Sequence, residues 1–158
     1  MDLKSKTCCF TGHRRIARKD YGYVYSKLKQ ILIELINNGY LYFGAGGALG
    51  FDTIAAEVIL ELKITYPQIR LILVLPCKNQ TKNWHTEDRK KYEYIKSCCD
   101  KYIYTSECYY DGCMLKRNRH LVDNSSVCVC YLVNFYGGTA YTVKYARQIG
   151  LQVINVAD

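Results

Sequence analysis

The sequence predicts an α/β protein: a three-layer sandwich with helices on both faces of a mainly parallel, six-stranded sheet. Three observations predict it. Short hydrophobic runs alternate with helical periods along the chain. A helical pattern separates nearly every run from the next, which makes βαβ units. The runs at residues 40–43, 70–75 and 127–132 also lack strict polar alternation, as strands covered on both faces do.

Residues 7–11 form the first strand. Residues 21–38 follow as a helix with Val24, Leu28, Ile31 and Leu35 on one face, and Asn37, Asn38 and Gly39 stop it. Residues 40–43 make the second strand. The second helix spans residues 52–65, with Ile54, Val58 and Leu62 stacked every four residues. Pro76 ends a third strand at residues 70–75. A polar stretch then leads to a charged, tyrosine-bearing helix at residues 86–99. A fourth strand follows at 101–105, and a helix at 113–124 carries a basic cluster. The fifth strand at 127–132, a helix at 139–149 stopped by Gly150, and a sixth strand at 151–156 complete a Rossmann-like order.

Composition narrows the function. One domain of 158 residues, 49% hydrophobic and 23% charged, is expected to bury a real core, which excludes a disordered chain. Asp2, Lys4 and Lys6 interrupt any secretory segment, and no apolar run can span a bilayer, so a cytoplasmic protein without a membrane partner is expected. The nine cysteines are odd in number and include the adjacent pairs Cys8-Cys9 and Cys98-Cys99. Cys128 and Cys130 alternate with Val127 and Val129, so cysteine serves as a small hydrophobe in a reducing compartment. No C-x-x-C occurs, and His13, His85 and His120 have no metal-ligand spacing. The net charge of +8 suits phosphates, on a nucleotide or along a nucleic-acid strand.

In open α/β sheets ligands bind beyond the carboxyl ends of the strands. That rule gathers Thr11, Gly12, His13 and Arg14 after the first strand, and Gly44, Gly46, Gly47, Gly50 and Asp52 after the second. Pro76, Gln80 and Trp84 follow the third, and Gly137, Gly138 and Thr139 the fifth. Arginine binds phosphate through a planar two-pronged contact, so residues 11–15 form an anion clamp. The turns at 44–50 and 137–139 bring bare N–H groups to helix N-termini, where the dipole favours an anion. A phosphorylated small molecule held from two sides is expected.

The first turn is no dinucleotide fingerprint, because Leu49 stands where the third glycine belongs, and no Walker loop, because G-K-[ST] is missing. Asp52 caps the second helix or accepts from a ribose. The cluster Lys116-Arg117-Asn118-Arg119 reads from pattern as a surface cluster, able to pair with acidic side chains, a ligand or nucleic acid. Trp84 stacks on a base or packs under a loop. Catalytic residues stay unassigned. No Ser-His-Asp order or nucleophile elbow occurs, Asp52 and Asp88 are the plausible acid–base carboxylates, and nothing in the sequence orients His13.

Five segments in order carry a resemblance: CFTGHR at 9–14, GGALGFDTIAAE at 46–57, Pro76-Cys77 with Gln80 and Trp84, MLKRNRHLVDNSS at 114–126, and GGTAYTVKYA at 137–146. They resemble the YpsA-like branch of the SLOG superfamily, which also contains DprA and the Lonely Guy (LOG) phosphoribohydrolases. The resemblance implies a Rossmann-like fold that binds or senses a nucleotide-type ligand such as ADP-ribose, NAD or a nucleoside phosphate, with no cofactor assigned. It puts Thr11–Arg14, Gly46, Gly50, Asp52 and Gly137–Thr139 on the ligand motifs, and Arg117, Asn118 and Arg119 on an R-N-R segment that DprA shares. It also implies a homodimer. Two alternatives come with it: cleavage of a nucleotide N-glycosidic bond, as in LOG proteins, and single-stranded DNA binding in the DprA manner. The LOG motif P-G-G-x-G-T-x-x-E ends in a catalytic glutamate. Here Tyr136 stands for its proline, Ala140 for its later glycine and Lys144 for the glutamate, which speaks against the hydrolase.

Overall fold

The structure is a computed structural model and describes residues 2–158. A 3-10 turn at Lys4–Lys6 leads into β1 (Thr7–Gly12), followed by α1 (Arg18–Asn37), β2 (Tyr42–Ala45), α2 (Phe51–Thr65) and β3 (Arg70–Leu75). Then come α3 (Thr86–Cys98), β4 (Lys101–Tyr104), α4 (Cys113–Asp123), β5 (Val127–Tyr131), α5 (Gly138–Gln148) and β6 (Gln152–Asn155). The six strands lie in the order β4-β3-β2-β1-β5-β6. Every neighbouring pair is parallel, so the sheet is fully rather than mainly parallel.

The two-residue period of the strands divides the core. Cys8 and Phe10 of β1 and Val127, Val129 and Tyr131 of β5 face α1, α2 and α3, where Leu28, Leu32, Ile54, Val58 and Ile95 meet them. The residues between them, Cys9, Cys128 and Cys130, face α4 and α5 and pack with Leu121, Val122, Val143 and Ala146. Cysteine thus occupies strand positions as a small apolar side chain, and all nine cysteines are free thiols.

Two elements start two residues or more away from where the periodicity puts them. Helix α1 begins at Arg18 rather than residue 21, because its first buried residue is Val24 and the polar turn before it carries no apolar period. Strand β2 begins at Tyr42 rather than residue 40, because the Tyr40 N–H is taken by the Leu35 carbonyl at the end of α1 (3.0 Å). Helix C-terminal carbonyls need such partners.

The chain moves from β1 outward to β4, then crosses back to place β5 on the other side of β1. The connections leaving β1 and β5 therefore diverge to opposite faces of the sheet, and the crevice opens there. An aromatic column runs up to it. Phe10 stacks on Phe43 and meets Phe51 edge-on (6.4 Å in each case), and Phe51 stacks on Tyr131 at 6.1 Å. Phe51 is fully buried at the first position of α2, so it pins the N-terminus of that helix beneath the end of β1. Burying one such ring stabilises by about 1.5–3 kcal/mol. Gly12 has no side chain because a Cβ there would lie 2.5 Å from the Phe51 ring.

Candidate functional site

At the switch point a cleft of about 330 Å³ opens between the segments following β1 and β5, with α4 as its floor. Thr11, Gly12, His13 and Arg14 form one wall, Gly137, Gly138 and Thr139 the opposite one, and Asp52, Arg117 and Asn118 the base. Ten of the sequence-derived site residues thus meet in one place.

The wall built by α5 is a bare helix end. Gly137 has φ +92°, a conformation L side chains rarely adopt, and no side chain caps the helix. The first-turn N–H groups have no intrahelical partner, so they are left to whatever enters the cleft. A partly buried relay holds this end in place. Arg117 Nε donates to Asn118 Oδ1 (2.7 Å), Asn118 Nδ2 donates to Thr142 Oγ1 (3.0 Å), and Thr142 Oγ1 donates to the Gly138 carbonyl (2.8 Å). The other end of Arg117 reaches the glycine-rich turn, where Nη1 donates to the Gly46 carbonyl. One arginine and one asparagine on α4 therefore tie both glycine turns together.

This corrects the surface reading of the basic cluster at Arg117, which is only 4% exposed. Burial pushes its guanidinium pKa down, and the charge of Asp52 works against that. Asp52 shows the reciprocal effect. Burial raises its carboxyl, while Arg117 first, then the Ala48 and Gly46 N–H groups and Arg14, pull it back. Asp52 is also not the N-cap of α2, which is Gly50 with φ +79°. It stands inside the first turn, and its Oδ2 accepts from the Ala48 N–H (3.2 Å). A side chain on Gly50 would run into the backbone carbonyl of Arg14, so the glycine lets the two loops touch.

His13, which the sequence left unoriented, is held firmly. Its Nε2 accepts from the N–H groups of Val133 (3.0 Å) and Asn134 (3.1 Å), joining the β1 loop to the β5 loop. Partial burial lowers its pKa and favours the neutral ring that these two bonds require. Arg14 is exposed at the mouth.

The remaining predicted residues lie elsewhere. Gly44 is inside β2, where a Cβ would press on Leu121, so it is a packing glycine. Gly46 is buried under Arg117. Gly47, Gly50 and Trp84 line a neighbouring cavity between α2 and α3. Pro76 is buried just past β3, and Gln80 is buried beside Gly47. Arg119 turns away from the cleft and lies 4.7 Å from the centre of the Tyr145 ring, in a separate hollow. The sequence reading missed Thr142. Its signal is a hydroxyl one helical turn after Gly138, where it reaches the carbonyl of that glycine.

Comparison with known proteins agrees with the fold and gives the family. The YpsA family, described as "YspA SLOG family", matches residues 9–153. UPF0398 protein BH1768 of Halalkalibacterium halodurans is 31% identical over 129 residues, 80% of this chain and 68% of that one. The SPbeta prophage-derived protein YoqJ of Bacillus subtilis is 29% identical over 135 residues, 77% of this chain and 79% of its own. Among solved structures, DNA processing protein A (DprA) of Streptococcus pneumoniae superposes with a TM-score of 0.71 at 17% identity, over 96% of this chain and 50% of that one. DprA of Helicobacter pylori, described with its single-stranded DNA binding mode, gives 0.65 at 22% identity, over 92% and 63%. The chain thus spans half to under two thirds of those DprA chains and shares their fold. With its family motifs matched over nearly its whole length, the chain belongs to the YpsA SLOG family.

Proposed function

We propose that the chain is a nucleotide-binding or nucleotide-sensing domain, whose switch-point cleft holds a phosphate of a small molecule such as ADP-ribose, NAD or a nucleoside phosphate. The observation that carries this reading is the relay from Arg117 through Asn118 and Thr142 to Gly138. It fixes an uncapped helix N-terminus opposite Arg14, so donors and positive charge are organised before any ligand arrives. Among the described residues Asp52 is the only carboxylate lining the cleft, and it already answers Arg117 and the Ala48 N–H. Lys144, at the LOG glutamate position, does not line the cleft, which supports binding over glycosidic cleavage.

The test is calorimetric titration with ADP-ribose, NAD and AMP. Arg14→Ala weakens binding about 10- to 100-fold, the loss of one charge-assisted contact of roughly 1.5–3 kcal/mol. Gly138→Asp abolishes it while leaving the fold intact. A Cβ at Gly138 meets open space, and a carboxylate suits a helix N-terminus but repels a phosphate. Absence of saturable binding by all three ligands to folded protein overturns the reading.

A second reading, single-stranded DNA binding, is favoured by Phe135 and Tyr136. They stand 84% and 78% exposed beside the cleft, where bases can stack on them. It predicts that an oligonucleotide binds far more tightly than AMP, with an affinity falling steeply as salt rises.

A further inference from the structure

A second cavity, of about 320 Å³, lies on the far side of the glycine-rich turn, between α2, α3 and the segment after β1. Arg14 and Asp52 line both it and the phosphate cleft, so the two compartments are neighbours across one shared wall. Each alone sits at the small end of the roughly 300–1,000 Å³ typical of ligand pockets. Joined, they suit a molecule with two distinct halves.

The chemistry of the two compartments differs. The switch-point cleft offers backbone N–H groups and arginine. The second cavity is walled largely by apolar side chains such as Leu49 and Ile95, and by Trp84 and Tyr92, whose rings meet edge-on at 5.5 Å. One polar group of its lining is unanswered, and a second lies behind its wall. The Asp88 carboxylate lines the cavity and has no hydrogen-bond or ion-pair partner among the described residues. The Gln80 side chain is 9% exposed, and both its Nε2 and its Oε1 are buried without a partner. Its Oε1 lies 3.7 Å from where a Cβ of Gly47 would stand, so Gln80 sits behind the Gly47 backbone and does not itself line the cavity.

An aromatic face, an apolar slot and a free carboxylate suit a nucleobase that carries an amine. We infer that the second cavity takes the base of the same ligand whose phosphate occupies the switch-point cleft. Trp84 lies against the base, and Asp88 accepts from its exocyclic amine. Arg14 bridges the two compartments beside the phosphate. The inference rests on the proposed phosphate site and narrows the ligand to nucleotides with an amino-bearing base.

Trp84 is the only tryptophan, so its fluorescence reports on this cavity alone. AMP, inosine monophosphate and ribose 5-phosphate are titrated in parallel by calorimetry and by Trp84 emission. AMP is expected to bind at least tenfold more tightly than ribose 5-phosphate and to shift the emission, which ribose 5-phosphate leaves unchanged. Trp84→Leu brings AMP down to the ribose 5-phosphate level, and Asp88→Asn erases the preference of AMP over inosine monophosphate. If AMP and ribose 5-phosphate bind alike with no change in Trp84, the base pocket is refuted while the phosphate site stands. If neither binds to folded protein, both readings fall.

Discussion

Replacing Arg117 by methionine removes the charge that α4 places under both glycine turns, at little change in volume. The substitution leaves the Asp52 carboxylate, 7% exposed, without its main compensating charge. It also strips a donor from the carbonyls of Gly46 and Val74. Breaking a direct buried salt bridge from one side costs about 3–5 kcal/mol, an upper bound here because Arg117 and Asp52 make no direct ion pair among the described residues. That is a large share of the roughly 5–15 kcal/mol that holds a domain of this size together. The cost is pH-dependent, and its sign follows from the raised carboxyl of Asp52. A carboxylate whose folded pKa lies above its unfolded value, about 3.9, binds more protons folded than unfolded, so stability falls as pH rises through the interval between them. Removing Arg117 lifts the folded pKa further and widens that interval upward. Urea unfolding from pH 4 to 8 should therefore show a deficit that grows with pH and then levels off. The double variant with Asp52→Asn should recover much of the loss and flatten the dependence. A deficit under about 1 kcal/mol, or one independent of pH, refutes the electrostatic account of this pair.

Three further outcomes follow from the same geometry. His13 has a lowered pKa, so its stabilising bonds to Val133 and Asn134 are complete above the ordinary histidine range and are lost as pH falls through about 6.5 toward the lower folded value. Protection factors of the Val133 and Asn134 amides should fall once pH drops below the ordinary histidine range, and equal protection at pH 5 and 8 contradicts this. Thr142→Val cuts the relay to Gly138, with an expected loss of about 1–2 kcal/mol in urea and weaker phosphate binding; an unchanged affinity shows that the relay does not organise the helix end. Gln80→Leu removes two unpaired buried polar atoms and should leave the ligand-free protein as stable or up to about 1–3 kcal/mol more so, whereas a clear loss means the amide is paired in solution.

The elements were legible because burial on two faces leaves its mark as uninterrupted apolar strands and four-residue helical periods. The site was legible for a topological reason: parallel strands deliver their following loops to one rim, so Gly12 and Gly138 had to be near one another. What stayed hidden was direction around a helix. Arg117 and Arg119 are two positions apart, and residues about 100° apart per step cannot both face one cleft. Arg117 enters it, and Arg119 goes to Tyr145. A lysine- and arginine-rich run looks solvated in any linear pattern, so the burial of Arg117 had no sequence signal except the asparagine beside it. The glycine-rich turn misled differently. Gly44 and Gly46 look like ligand glycines, yet close packing against Leu121 and Arg117 explains them. Glycine marks close approach of any neighbour, whether ligand or side chain.

The central claim is that the loops after β1 and β5, locked by α4, hold a phosphate between them. Its most direct test follows backbone amide resonances of the labelled protein during titration with ADP-ribose. The account predicts that Gly12, Gly138 and Thr139 shift together along one saturating curve, and that Gly138→Asp abolishes the response. Resonances that stay still at those three positions, or that move only on another face, contradict it.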